Sequence, residues 1–159
     1  MSDPSPRIIF ERAISHLKSG ANEEAAALCR EVLERDPGDI NFVCLLGSIL
    51  GRRGAMDEAL ELLQRGVKVA PGHAKAQEDL GTIMLTLDRP REAAVHLERA
   101  IDLGPGHPSL LSKLSAAKEK LGMTADAETL RRKAAAKSPA HAKQDAATRL
   151  FADGKCRES

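Results

Sequence analysis

Aromatic residues are scarce in this sequence: the 159 residues include three Phe and no Trp or Tyr. Leu and smaller apolar side chains must therefore fill any core, which favours helices over the aromatic-rich sheets of many β-sandwiches. The scarcity also removes the aromatic platforms on which single-stranded nucleic acid usually stacks. With 42% apolar and 30% charged residues, the chain still has the composition of one globular domain.

The chain also lacks a charge bias, a cysteine framework and a long apolar run. Its 24 basic and 23 acidic residues give a net charge of +1, so we expect neither a nucleic-acid partner nor a membrane partner. The three cysteines form no disulfide or metal pattern, and we expect Cys29 and Cys44 to be reduced, buried thiols. The longest apolar stretch, residues 42–50, is far shorter than the about 20 residues of a membrane span. Because the first residues do not resemble a signal peptide, we expect a cytoplasmic location.

No motif predicts catalysis, a cofactor or a metal site. Ser115 and Lys118 match S-x-x-K, and His96 begins half of a zinc deaminase motif, but both matches lie inside periodic helical stretches. Histidines also recur two residues after successive prolines, as His73, His107 and His141. Equivalent points on successive repeats should be about 8–10 Å apart, which is too far for a shared metal ion. We interpret these histidines as residues of inter-helix turns and expect no enzyme activity.

An internal repeat of 34 residues organises the sequence. Four prolines recur at that interval: Pro37, Pro71, Pro105 and Pro139. So do four alanines: Ala25, Ala59, Ala93 and Ala127. Apolar residues between these positions recur every three or four residues, then again after a turn, which predicts two amphipathic helices per unit. Proline ends each pair because it cannot continue a helix.

These residues resemble the tetratricopeptide repeat family. Leu46-Gly47 and Leu80-Gly81, each followed by the spaced alanine and proline, match the family pattern in the second and third units. The resemblance implies an all-α solenoid of antiparallel helix pairs, a right-handed superhelix of about four repeats plus a C-terminal helix. The predicted units are residues 6–39, 40–73, 74–107 and 108–141. Residues 1–5 are expected to be disordered, and residues 142–159 to form either a capping helix or a truncated fifth repeat.

The resemblance also implies a non-catalytic scaffold that binds a protein or peptide along the first helix of each unit, which lines the concave surface. The non-core faces of these helices in units two to four supply the candidate groove residues Asn41, Cys44, Leu45, Ser48, Arg52, Lys75, Glu78, Asp79, Thr82, Ser109, Ser112, Lys113 and Ala116. The first unit adds either Phe10 and Ile14 or Glu11 and Ser15. Only Lys75 matches the clamp with which some family members bind chaperone tails, so we do not expect that ligand.

Three alternatives stay open. Residues 23–39 resemble the opening repeats of bacterial proteins that continue into a sulfotransferase or glycosyltransferase domain. In this first alternative, the chain is the N-terminal module of a larger bacterial enzyme and serves substrate recruitment or oligomerisation. Terminal helices could also mediate self-association. Residues 108–141 carry seven basic and three acidic residues, which predicts either a patch for RNA or an acidic partner, or the charged outer helix face that we favour.

Overall fold

The computed structural model describes residues 4–138, and these form eight α-helices and no strand. The helices are α1 (Pro6–Lys18), α2 (Asn22–Arg35), α3 (Ile40–Arg52), α4 (Met56–Val69), α5 (Ala74–Thr86), α6 (Pro90–Leu103), α7 (Pro108–Lys120) and α8 (Thr124–Ala136). Each predicted unit contains one pair, and the predicted all-α repeat fold is confirmed. The predicted segment 142–159, with Pro139 and His141, lies outside the described residues.

The 34-residue interval recurs in the caps that begin the first helices. The side chains of Asp39, His73 and His107 each accept a hydrogen bond from a backbone N–H in the first turn of α3, α5 and α7. These caps satisfy donors that have no partner within the helix. The two histidines therefore lie in inter-helix turns, as the sequence indicates, and use Nδ1 as the cap acceptor.

A left-handed residue joins the two helices of every unit. Gly20, Gly54 and Gly122 have φ near +80°, and Asp88 takes the equivalent position with φ of 55°. Glycine adopts this conformation without strain, whereas a side chain makes it costly. Unit three therefore makes the same turn as its neighbours with a less suitable residue.

Small residues bring the two helices of each pair close together. A Cβ placed on Gly47 would lie 2.9 Å from Leu63 Cγ, and one on Gly81 would lie 2.7 Å from Leu97 Cγ. In unit four the equivalent Ser115 is buried and donates a hydrogen bond to the carbonyl of Ala127, at 2.9 Å. The leucine opposite each glycine is fully buried, so the small residue and the leucine fit each other.

The first helices form one continuous surface. α3 packs on α5 and α5 packs on α7, while among residues 4–138 no second helix packs on the next second helix to a comparable extent. In units two to four the stack is therefore tighter along the first helices than along the second helices. We call the surface formed by α1, α3, α5 and α7 the inner face, and it holds most of the predicted groove residues.

Candidate functional site

Two adjoining cavities open on the inner face. The central cavity, of about 300 Å³, is lined by Gly47, Ser48, Gly51, Arg52, Met56, Leu63, Lys75, Asp79, Thr82, Ile83, Thr86 and Lys113. The N-terminal cavity, of about 370 Å³, is lined by Phe10, Ile14, Asn41, Cys44, Leu45, Ser48, His73 and Lys75. Ser48 and Lys75 belong to both linings. The cavities are therefore neighbours, and a single extended chain can reach both.

The structure distributes the predicted groove residues unevenly. The central cavity includes Ser48, Arg52, Lys75, Asp79, Thr82 and Lys113. The N-terminal cavity adds Asn41, Cys44 and Leu45. The remaining α7 residues are exposed and line neither cavity: Ser109, Ser112 and Ala116. In the first unit, Phe10 and Ile14 line the N-terminal cavity, whereas Glu11 and Ser15 do not.

Three of the predicted groove residues are buried: Cys44, as its apolar surroundings predict, and Glu78 and Asp79, which were placed on a non-core face. Helical periodicity identifies the face on which a residue lies but not how closely a neighbouring helix approaches that face. α5 has α3 on one side and α7 on the other, so acids at the edges of its inner face are covered. The expectation that Cys29 and Cys44 are buried thiols is confirmed. Burial raises the pKa of Cys44 to about 12, and the neighbouring Asp79 charge adds to this effect.

Glu78 is buried with both of its oxygens paired. Lys113 Nζ donates to Oε1 at 2.7 Å, and His107 Nε2 donates to Oε2 at 3.1 Å. Since His107 Nδ1 accepts the cap bond from Leu110, the proton of the neutral ring lies on Nε2. Burial alone would raise the pKa of Glu78, but the bonds from Lys113 and His107 lower it below its usual range. This carboxylate belongs to the contact between units three and four.

Asp79, the next residue, is buried with only one of its oxygens paired. Lys75 Nζ donates to Oδ1 at 2.5 Å, while the buried Oδ2 has no hydrogen-bond partner among the described residues. Burial raises the pKa of Asp79, and the attraction of Lys75 offsets this effect only in part. A buried carboxylate oxygen without a donor is costly. Because the side chain lines the central cavity, the unsatisfied atom belongs to the candidate site.

Ion pairs join units three and four beyond Glu78. Lys118 pairs with Glu98, and Lys120 pairs with Asp88. Within unit four, Arg131 pairs with Glu119. Much of the positive charge of residues 108–138 is therefore matched by acids on α6, α7 and the turn before α6. A charged outer helix face therefore stays our interpretation of this segment.

Sequence reasoning missed several lining residues. His73 lies in a turn, and Gly51 and Ile83 belong by pattern to the packed faces, so periodicity gave no reason to place them at a cavity. Thr86 lines the central cavity as its position on the non-core face of α5 predicts, because it continues the three- and four-residue spacing of Lys75, Asp79 and Thr82. Within residues 4–138 no cluster of three His, Cys, Asp or Glu side chains could hold a metal ion. None of the described helices is long and apolar enough to cross a bilayer.

Comparison with known proteins agrees with the repeat. The sequence model of the tetratricopeptide repeat family matches residues 16–83. Residues 16–83 are therefore similar to the tetratricopeptide repeat family. Members of this family bind protein partners and are generally non-catalytic scaffolds, and the fold is consistent with such a role. No curated protein matches the chain by sequence.

Several solved structures share the fold. A crystal structure of MamA is similar with a TM-score of 0.73 and 21% identity, covering 85% of this chain and 79% of that one. MamA from Desulfovibrio magneticus gives a TM-score of 0.70 at 20% identity, covering 82% and 73%. A thermophilic tetratricopeptide repeat protein from Thermus thermophilus gives 0.72 at 22% identity, covering 85% and 75%. At these identities the likeness establishes the fold alone.

Proposed function

We propose that the chain is a non-catalytic interaction module that binds an extended segment of a partner protein along the inner face. The segment occupies the central and N-terminal cavities. The observation that carries this proposal is their adjacency: two cavities of about 300 and 370 Å³ share Ser48 and Lys75 and together extend from α1 to α7. Concave sites with an apolar part and a few polar groups are the usual form of binding sites.

The polar groups of the central cavity suit peptide recognition. Thr82 and Thr86 already donate their hydroxyl hydrogens to backbone carbonyls of α5, so their oxygens remain available as acceptors. Arg52 is exposed and has no ion-pair partner among residues 4–138. The acceptors and cations are therefore present to bind backbone and side-chain groups of a segment.

A matched pair of threonine substitutions tests this proposal. Thr82 and Thr129 each donate a hydroxyl hydrogen bond to the carbonyl four residues earlier, at 2.8 and 3.0 Å. Thr82 lines the central cavity, whereas Thr129 lies exposed on α8. Thr82→Phe should fill the cavity without changing charge, and Thr129→Phe should have the same effect on its helix without touching the cavity.

The experiment is affinity capture from a lysate of the source organism, with wild type and both variants as bait and mass spectrometry as the readout. We expect at least one protein to bind wild type and Thr129→Phe but not Thr82→Phe. Equal capture by all three chains would contradict the inner-face site. The alternative role as a module of a larger enzyme has no contact or cavity of the described residues in its favour.

A further inference from the structure

The charges of the central cavity favour an anionic ligand. Three cations line it, Arg52, Lys75 and Lys113, against the single carboxylate of Asp79. Lys75 pairs with Asp79, and Lys113 pairs with the neighbouring Glu78. Arg52 is left without a counter-ion among residues 4–138, and the cavity keeps an excess of positive charge. A partner with a carboxylate at this position completes the electrostatic match.

Asp79 adds a second requirement, for a hydrogen-bond donor. Its Oδ2 is buried at the cavity, and no donor of residues 4–138 reaches it. Lys75 is 54% exposed, so its ammonium can also contact a partner carboxylate while a partner N–H donates to the unpaired oxygen of Asp79. An extended peptide offers one backbone N–H per residue beside its side chains. A small anion such as sulfate supplies the charge but no hydrogen-bond donor.

The N-terminal cavity adds a requirement for an apolar side chain. Phe10, Ile14 and Leu45 supply most of its apolar wall, and Phe10 is held edge-on against Phe42 with ring centroids 5.4 Å apart. Because this cavity shares Lys75 with the central one, an apolar side chain and a carboxylate on nearby residues of one segment can enter both.

The outer surface offers the opposite chemistry. A cavity of about 330 Å³ between α2 and α4 has an apolar floor that includes Leu46 and Leu62. Its rim carries three acids and two arginines: Glu34, Glu58, Glu61, Arg30 and Arg65. An acidic segment is therefore repelled at this outer cavity and attracted on the inner face, so the charge of the ligand distinguishes the two cavities.

From these observations we infer that the partner segment is an acidic peptide with an apolar residue near its acidic one. The acidic side chain meets Arg52, the apolar side chain enters the N-terminal cavity, and an N–H of the segment donates to Asp79. The inference rests on the proposed function, because it names the chemistry of the segment that the inner face binds.

A peptide library tests the inference because it presents acidic, basic and apolar segments in one selection. The probe is a phage-displayed library of random dodecapeptides, selected against the full 159-residue chain. The test variant is Arg52→Glu. The matched control is Arg91→Glu, which makes the same charge change at an exposed arginine in the first turn of α6, outside both inner cavities. An acid is favourable near a helix N-terminus, so the control should fold. Circular dichroism confirms folding of each chain.

We expect wild type and Arg91→Glu to enrich the same peptides, with one or more Asp or Glu near a Leu, Ile or Phe. Arg52→Glu should bind the enriched peptide about tenfold more weakly in fluorescence polarisation at low salt. Raising the NaCl concentration from about 50 to about 500 mM should reduce the difference, because partly exposed charges are screened. Asp79→Asn should also bind more weakly while remaining folded.

The outcomes separate the two proposals. Enriched peptides that are basic or purely apolar, yet do not bind Thr82→Phe, would overturn the acidic ligand and leave the inner-face site standing. Enriched peptides that bind Thr82→Phe as well as wild type would overturn the site itself. Equal weakening by Arg52→Glu and Arg91→Glu would show a general charge effect and contradict the role of Arg52.

Discussion

Helix α5 meets its two neighbours in different ways. Toward α7 it presents Glu78, whose two oxygens both accept hydrogen bonds, and further ion pairs continue along the same side. Toward α3 it presents Asp79, which has one paired oxygen and lies at a cavity bordered by Gly47 and Gly51. Charge pairs therefore cover the contact between units three and four, and we call it the closed interface. A cavity lies beside the contact between units two and three, and we call it the open interface.

The difference shows that neighbouring polar groups of one repeat can have different roles, one in stability and one in binding. Two adjacent buried carboxyls have opposite shifts: the pKa of Glu78 is lowered by its donors, and the pKa of Asp79 is raised by burial. A lowered carboxyl pKa means that the charged form stabilises the fold, and a raised one means that the charged form opposes it. Proteins keep such unfavourable groups mainly where they bind or react.

The largest effect is expected from a substitution in the core of unit three. Leu97 is fully buried on α6 and lies against Gly81 of α5. Leu97→Ala removes this support and leaves a cavity, so the free energy of unfolding should fall by about 2–5 kcal/mol. Urea unfolding followed by circular dichroism measures the change. A loss below about 1 kcal/mol would mean that unit three does not depend on this contact.

Glu78→Ala should weaken the closed interface. The change leaves the ammonium of Lys113, which is 29% exposed, without its counter-ion and removes the acceptor of His107. We expect a loss of about 1–3 kcal/mol in the free energy of unfolding, below that of a fully buried pair because Lys113 keeps some water. Glu78→Gln, which keeps an acceptor but no charge, should lose less. Equal stability of wild type and Glu78→Ala would contradict the structural role.

At the open interface, Asp79→Asn should act in the opposite direction. It removes a buried charge whose pKa is raised, and Lys75 is exposed enough to be solvated without it. The free energy of unfolding should stay the same or rise by up to about 1 kcal/mol. Thermal and urea unfolding at neutral pH measure this change. A loss comparable to that of Glu78→Ala would make Asp79 a structural residue and remove the contrast.

The pH dependence sharpens the same contrast. The stabilisation from Glu78 is present above the ordinary Glu pKa of about 4.3 and is lost as the pH falls through its lowered folded value. The stability advantage of wild type over Glu78→Gln should therefore shrink in acid. The contribution of Asp79 to the free energy of unfolding is largest below the ordinary Asp pKa of about 3.9. That contribution is lost as the pH rises through the raised pKa of the folded state. As the pH falls, the free energy of unfolding of wild type should therefore rise relative to that of Asp79→Asn. If the free energy of unfolding changed with pH in the same way in both variants, the opposite pKa shifts of Glu78 and Asp79 would be refuted.

The smallest effect is expected from Asp88→Gly. Glycine relieves the left-handed φ of 55° but removes the ion pair with Lys120, whose side chain is 47% exposed. Relief of the backbone and loss of an exposed pair are each worth about 1 kcal/mol or less and should nearly cancel. The unfolding free energy should change by less than about 0.5 kcal/mol. A larger loss would show that this pair matters to the closed interface.

The 34-residue repeat and the spacing of apolar residues predicted the helices and the turns between them, because helices and turns depend on residues close together in the sequence. Gly54 and Asp88 are 34 residues apart and take the same left-handed turn conformation. The repeat also placed Ser48, Lys75 and Thr82 on the face that now borders a cavity. Sequence spacing is sufficient to predict such features, because each repeat packs in the same way and contacts only its neighbours.

The contrast between Glu78 and Asp79 could not be predicted in this way. Both lie on one turn of α5, and the sequence analysis placed both on the groove face. Which oxygen finds a donor depends on where α3 and α7 pass, and therefore on contacts 29 to 35 residues away, such as those to His107 and Lys113. The shape of the central cavity likewise depends on how Gly51 meets Ile83 across two units.

Amide NMR of the isotopically labelled chain with the enriched peptide tests the central claim most directly. The claim is that the open interface between units two and three is where the partner binds. It predicts that the largest chemical-shift changes fall on Ser48, Arg52 and Thr82 and on the rest of the central cavity lining, with little change at α8. Changes centred on Leu62 and Arg65 of the outer surface, or on α8, would contradict it.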